Sequence, residues 1–125
     1  NQKFKNIEIF SKQKDLEKFY SSSSLVLNLS RVDQWVETFG LTIVEALAFG
    51  IPVIVPPVGG PIEIVEDGIE GFLISSYEID KLAKKIEELS NDEMTCINLS
   101  KNAKEKALIF SEDLFLEKIQ KVVDA

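Results

Sequence analysis

Two glutamates, Glu37 and Glu45, stand eight positions apart in the stretch VETFGLTIVEALAFGIPVIVPPVGG, residues 36–60, which is otherwise mostly apolar. The pattern between them predicts a helix over 39–49. Leu41, Ile43, Val44, Ala46, Leu47, Ala48 and Phe49 leave that helix little room for solvent, so its polar side chains, Thr42 and Glu45, stand out. They are three apart and share a face, which Thr38 extends to the helix start. Helical side chains lean toward the N-terminus, so Glu45 is expected to reach back toward the first turn and Glu37. There the free N–H groups of Phe39, Gly40 and Leu41, together with the positive end of the helix dipole, favour an anion such as phosphate. Gly40, lacking a side chain, lets a ligand come close to the backbone. Carboxylates would repel that phosphate, but an ionised carboxylate accepts two hydroxyl protons well. Hydroxyls flanking a phosphate describe a sugar nucleotide. The competing reading makes Glu45 a plain exposed acid and Glu37 an N-cap.

The elements that must hold these residues are legible on either side. LVLNL (25–29) and IPVIV (51–55) are nearly continuous β-prone runs, as expected of strands covered on both faces. GFLI (71–74) is a third such run, reached through EDG (66–68). Strand, helix, strand with covered strands predicts a parallel α/β sheet, whose ligands bind at the carboxyl ends of the strands. Upstream, NIEIF (6–10) reads as a short strand and KDLEKFYSS (14–22) as a short helix that SSSS (21–24) ends. The last third is helical. Ile79, Leu82, Ala83, Ile86 and Leu89 form one apolar stripe, and Cys96, Leu99, Ala103 and Ala107 a second. Ser111 is expected to cap a further helix, with Glu112 and Asp113 in its first turn and Phe115, Ile119, Val122 and Val123 as its stripe.

The composition narrows the chemistry. The 125 residues suffice for one core, and 45% hydrophobic with 28% charged residues fits a soluble globular domain. No apolar run approaches the ~18–20 residues that span a bilayer. A net charge of −7 argues against nucleic acid. Residues 61–125, with eight Lys against fifteen acids, account for all of it, and they read as a solvated helical surface. The chain has no histidine, which argues against a zinc site. The single cysteine, Cys96, reads as a packing thiol rather than a nucleophile, and a reducing cytoplasm suits it. Residue 1 is Asn, and the chain is expected to be part of a longer protein, cytoplasmic or lying against a membrane surface.

Residues 37–74, ETFGLTIVEALAFGIPVIVPPVGGPIEIVEDGIEGFLI, resemble the nucleotide-sugar-binding core of glycosyltransferase family 4, the GT-B enzymes also called group 1 glycosyltransferases. That pattern is a Glu, seven residues and a second Glu followed by Ala, then a Gly-x-Pro-Val strand, a Gly-Gly loop with a Glu, and a Gly-Phe-Leu strand. Glu37, Glu45, Ala46, Gly50, Pro52, Val53, Gly59, Gly60, Glu63, Gly71, Phe72 and Leu73 match it in order. The resemblance implies a Rossmann-like parallel sheet with flanking helices, in the domain that binds the activated sugar donor. It implies that Glu37 is the catalytic-site glutamate that positions the transferred sugar, without being assigned as a nucleophile. It places Glu45 on the ribose hydroxyls, with Thr42 beside it on the donor face. The amides of Phe39, Gly40 and Leu41 would lie near sugar and diphosphate, and the Gly59–Gly60 loop would shape the floor of the site. Arg31, in SRVDQW, either touches a phosphate or is a plain surface arginine.

The implied reaction is retaining transfer from a nucleotide sugar, which is the substrate, to a glycan or lipid-linked acceptor, and the resemblance implies neither a metal nor another cofactor. Against the family pattern, Leu29-Ser30 stands where Pro-Ser is usual. The first two strand–helix units and the acceptor domain are not among these residues, so residues 1–125 are expected to be a partial donor domain, inactive alone. In the family's strand order NIEIF and LVLNL would be separated by two strands. The expectation is that NIEIF closes onto LVLNL directly, or that a second copy covers that edge. Two alternatives stay open: a non-catalytic binding or interaction module of the same fold, and another GT-B-type enzyme such as an epimerase.

Overall fold

The computed structural model describes residues 5–11, 16–31 and 41–124. Among them three short strands, β1 (Val26–Leu27), β2 (Val53–Val55) and β3 (Gly71–Leu73), make one parallel sheet in the order β1-β2-β3. Val26 is set against Val53 and Leu27 against Ile54; Val53, Ile54 and Val55 in turn face Gly71, Phe72 and Leu73. The helices are α1 (Glu17–Ser21), α2 (Leu41–Ala48), α3 (Pro61–Ile64), α4 (Ile79–Ser90) and α5 (Glu93–Asp124). Parallel neighbours need a crossover, and α2 and α3 supply the two. The architecture is the Rossmann-like α/β sheet with flanking helices that the sequence implies.

The alternation along β2 divides the core. Val53 and Val55 pack with Ile43, Val44, Ala46 and Leu47 of α2, while Ile54 turns to the other face with Ile74, Leu89 and Leu99. Strand side chains alternate between faces, so a run apolar at every position has both faces covered. α5 serves both halves: Ala103 and Ala107 lie against α2, and Leu99 and Cys96 belong with α4. Small side chains at 103 and 107 let the two helices approach closely.

α2 stops because Gly50 takes the left-handed conformation, φ 73°. The Gly50 N–H donates to the Leu47 carbonyl at 2.9 Å and the Ile51 N–H to Ala46 at 3.0 Å. This paired closure is a Schellman motif, with buried Ala46 and Ile51 as its apolar contact. Between α4 and α5 the chain turns at Asn91, and Asp92 caps α5. Its carboxylate accepts the Thr95 N–H at 3.1 Å and the Thr95 hydroxyl at 2.6 Å. Those two bonds, the hydroxyl's first, hold the Asp92 carboxyl below its usual range.

Several expectations are corrected. No new helix begins at Ser111, because α5 runs unbroken to Asp124. The residues before it, AKEKAL (103–108), are strong helix formers, and one serine costs too little to break such a run. NIEIF forms no strand and does not close onto β1. Ile7, Ile9 and Phe10 are exposed, and Phe10 instead meets Phe19 of α1 edge to face at 4.9 Å. β1 is not covered on all sides: Leu27 and Leu29 are exposed because β1 is the edge of the described sheet. Ile79 and Ala83 drop out of the α4 stripe, which buries through Leu82, Ile86 and Leu89. Phe49, at the end of α2, is 42% exposed rather than buried, since one side of its ring is left to solvent where α2 ends.

Candidate active site

The carboxyl ends of the strands open into the segments after Leu27, Val55 and Leu73. The first and last are tied together. Asn28 Oδ1 accepts the Ser30 N–H at 3.0 Å and the Ser30 hydroxyl at 2.7 Å, and Ser76 donates its hydroxyl to the Ser30 carbonyl at 3.4 Å. These short bonds fix the chain as it leaves β1 and brings up Arg31, which is exposed. The segment after β2 reaches Gly59, whose φ of 76° is open to glycine and strained for other residues. Gly60 then caps α3, with Pro61 at the first helical position, where its missing N–H costs nothing. The Glu63 N–H returns to the Gly60 carbonyl at 3.0 Å. α3 packs on α2, the helix that carries Glu45.

On α2 the backbone is helical from Leu41. Thr42 is exposed, and Glu45, one turn on, is half-buried. Glu37, Phe39 and Gly40 lie outside the described residues. Gly59 and Gly60 follow the carboxyl end of β2, and Thr42 and Glu45 lie on α2, which packs against α3.

One neighbour of Glu45 was not legible in the sequence pattern. Tyr20 of α1 donates its hydroxyl to Glu45 Oε2 at 3.2 Å, with the Thr42 carbonyl at 3.4 Å as a second acceptor. The ring is nearly buried, and it stacks on Phe49 at 5.4 Å between centroids and 29° between planes. Burial first, then the charge of Glu45, then their hydrogen bond push the Tyr20 hydroxyl up to about 12. The only sequence signal was an aromatic at the end of a short amphipathic helix, which reads as core. Twenty-five residues separate it from Glu45.

A groove of about 520 Å³ lies at the opposite, amino-terminal end of the sheet, between Ser24, Pro52, Gly50 and the start of α5. Tyr20 and Phe49 form one wall of it, serines and Glu93 add polar groups, and Thr42, Glu45, Gly59 and Gly60 are not among its lining residues.

The family pattern described as "Glycosyl transferases group 1" matches residues 4–106. The chain belongs to the group 1 glycosyltransferases. Among family relatives, the probable sucrose-phosphate synthase of Thermosipho melanesiensis is 39% identical over 70 residues, which are 56% of this chain and 16% of the relative. A glycosyltransferase from Rickettsia africae superposes with a TM-score of 0.81 at 26% identity, over 94% of this chain and 31% of that one. HepE of Anabaena, in complex with UDP-glucose, gives a TM-score of 0.71 at 28% identity, over 87% of this chain and 30% of that one. The chain thus spans less than a third of the length of each of these three proteins.

Proposed function

We propose that this chain is the donor-binding part of a retaining glycosyltransferase of family 4, and that it holds a nucleotide sugar at the carboxyl end of its sheet. The reading is carried by Glu45. It is a half-buried carboxylate on an otherwise apolar helix, at the end of a parallel sheet where such folds bind ligands. Its oxygens suit a ribose diol. Glu37 would orient the transferred sugar, and the amides of Phe39, Gly40 and Leu41 would face the diphosphate. Thr42 and the Gly59–Gly60 turn would border the site, and Arg31 would touch a phosphate. In retaining transfer the acceptor oxygen attacks on the face the diphosphate leaves. The acceptor proton passes to the leaving diphosphate, so Glu37 needs no nucleophilic role and no metal is required. A glycan or lipid-linked acceptor, as in polysaccharide biosynthesis, would be bound by a separate acceptor domain. The 125 residues by themselves are then inactive in transfer, and their donor affinity is weak, about millimolar.

Saturation-transfer NMR with UDP-, GDP- and ADP-glucose tests the reading, because it detects binding at that strength. One of the three should bind, and Glu45→Ala should weaken it while the fold persists, at a cost of at most about 1.5–3 kcal/mol for each charge-assisted hydrogen bond lost. Unchanged affinity in that variant would refute the ribose role. Glu37→Ala, placed in a transfer-competent protein, should depress turnover more than nucleotide affinity; the reverse would exchange the two roles.

A further inference from the structure

We propose that Tyr20 is a positioning residue for the donor: its hydroxyl holds the Glu45 carboxylate in the orientation that accepts the ribose hydroxyls. The inference rests on the donor-site reading above and adds a residue from a different element.

Glu45 sits on an α-helix with a flexible side chain, and an unrestrained glutamate loses rotamer freedom when it binds a ligand. Here the Tyr20 hydroxyl is placed between two acceptors of α2, Glu45 Oε2 at 3.2 Å and the Thr42 carbonyl at 3.4 Å. Thr42 lies three residues before Glu45. A hydroxyl that touches both holds the glutamate side chain against its own helix, beside the Thr42 carbonyl, and narrows its choice of rotamer. Among the described residues the bond uses Oε2 alone, so Oε1 can accept one ligand hydroxyl and the second lone pair of Oε2 another.

Tyr20 is itself held firmly. Its N–H donates to the Leu16 carbonyl at 3.1 Å, and its ring is buried against Phe49. After it, the hydroxyls of Ser21, Ser22 and Ser23 donate to the carbonyls of Lys18 and Phe19, which closes α1 one turn beyond the aromatic pair. The hydroxyl is therefore presented by a fixed ring, and what it fixes in turn is the carboxylate.

The test uses the 125-residue chain and the nucleoside diphosphate, among UDP, GDP and ADP, that binds it best, with its 2′,3′-dideoxy analogue as the control ligand. Dissociation constants are measured by ligand-observed NMR for the wild type, Tyr20→Phe and Glu45→Ala. Tyr20→Phe keeps the buried ring and removes only the hydroxyl. It should weaken the ribonucleotide about tenfold and leave the dideoxy analogue within twofold, a difference that a purely structural loss would not produce. Glu45→Ala should show the same selective loss, and the double variant should be no worse than Glu45→Ala. If Glu45→Ala is selective and Tyr20→Phe is not, Tyr20 does not position the carboxylate, while the donor-site reading stands. If Glu45→Ala is itself without effect, or none of the three nucleotides binds, both are overturned. Should Tyr20→Phe weaken both ligands equally, the hydroxyl serves the fold alone.

Discussion

Lys106 of α5 sets its ammonium 2.9 Å from Oε1 of Glu70, a carboxylate with no solvent exposure just ahead of β3. The same ammonium reaches Glu66 Oε1 at 2.8 Å, and the Glu66 N–H donates to Glu70 Oε2 at 3.3 Å. Among the described residues Lys106 is the partner of Glu70 Oε1, so the ion pair carries the cost of burying that oxygen. The turn that leads into β3 is thereby tied to the long C-terminal helix. Removing one partner strands a buried charge. Lys106→Met should cost roughly 3 kcal/mol in urea unfolding, and Lys106→Met combined with Glu70→Gln should recover most of it. A loss below about 1 kcal/mol would place the pair with ordinary surface ion pairs.

The same cluster sets limits in pH. The Lys106 hydrogen bond, then its charge, lowers the Glu66 carboxyl below the usual range. Glu66 therefore contributes stability above its unfolded value, and that contribution goes as pH falls through the folded one. Burial pulls Lys106 down, but the hydrogen bonds and charges of Glu66 and Glu70 outweigh it and raise it overall. Its contribution is whole below the unfolded value, and it is lost as pH rises through the folded one. Thermal melts should thus show a plateau that declines below about pH 4.5 and above about pH 10. In Lys106→Met both declines should be shallower; unaltered slopes would contradict the linkage.

Tyr20 adds to the alkaline side. Its hydroxyl is pushed up to about 12, so its contribution is complete below the ordinary tyrosine value near 10 and lost between there and 12. Glu45→Gln removes the negative charge but keeps an acceptor. Ultraviolet titration of that variant in a Tyr77→Phe background, where Tyr20 is the one tyrosine left, should bring Tyr20 down toward the value of burial alone. A Tyr20 titration that does not move would mean that the 3.2 Å contact is absent in solution.

Gly50 offers a test of the helix end. A Cβ there would lie 2.5 Å from Lys104 Cε, the flexible end of a side chain that can swing aside, and 3.0 Å from Ser100 Oγ. The backbone at φ 73° cannot relax so easily. Gly50→Ala should destabilise by about 1–2 kcal/mol, read from the thermal midpoint. An unchanged midpoint would show that α2 ends without the left-handed turn.

The sequence by itself determined the sheet and its helices, because strand and helix periodicities are local properties. IPVIV is apolar at every position and became the central strand; LTIVEALA is apolar around most of a helix and became the crossover. The carboxylate at 45 stood out for the same local reason, as did the family pattern from Glu37 to Leu73, although Glu37, Phe39 and Gly40 lie outside the described residues. Tertiary structure decided what is joined across distance. No spacing rule links Tyr20 to Glu45, or Lys106 to Glu70 across 36 positions, since a hydrogen bond or ion pair between elements depends on how helices dock. NIEIF failed as a strand for a related reason. A strand is defined by the neighbour that takes its N–H and C=O groups, and no run of side chains states whether that neighbour is there.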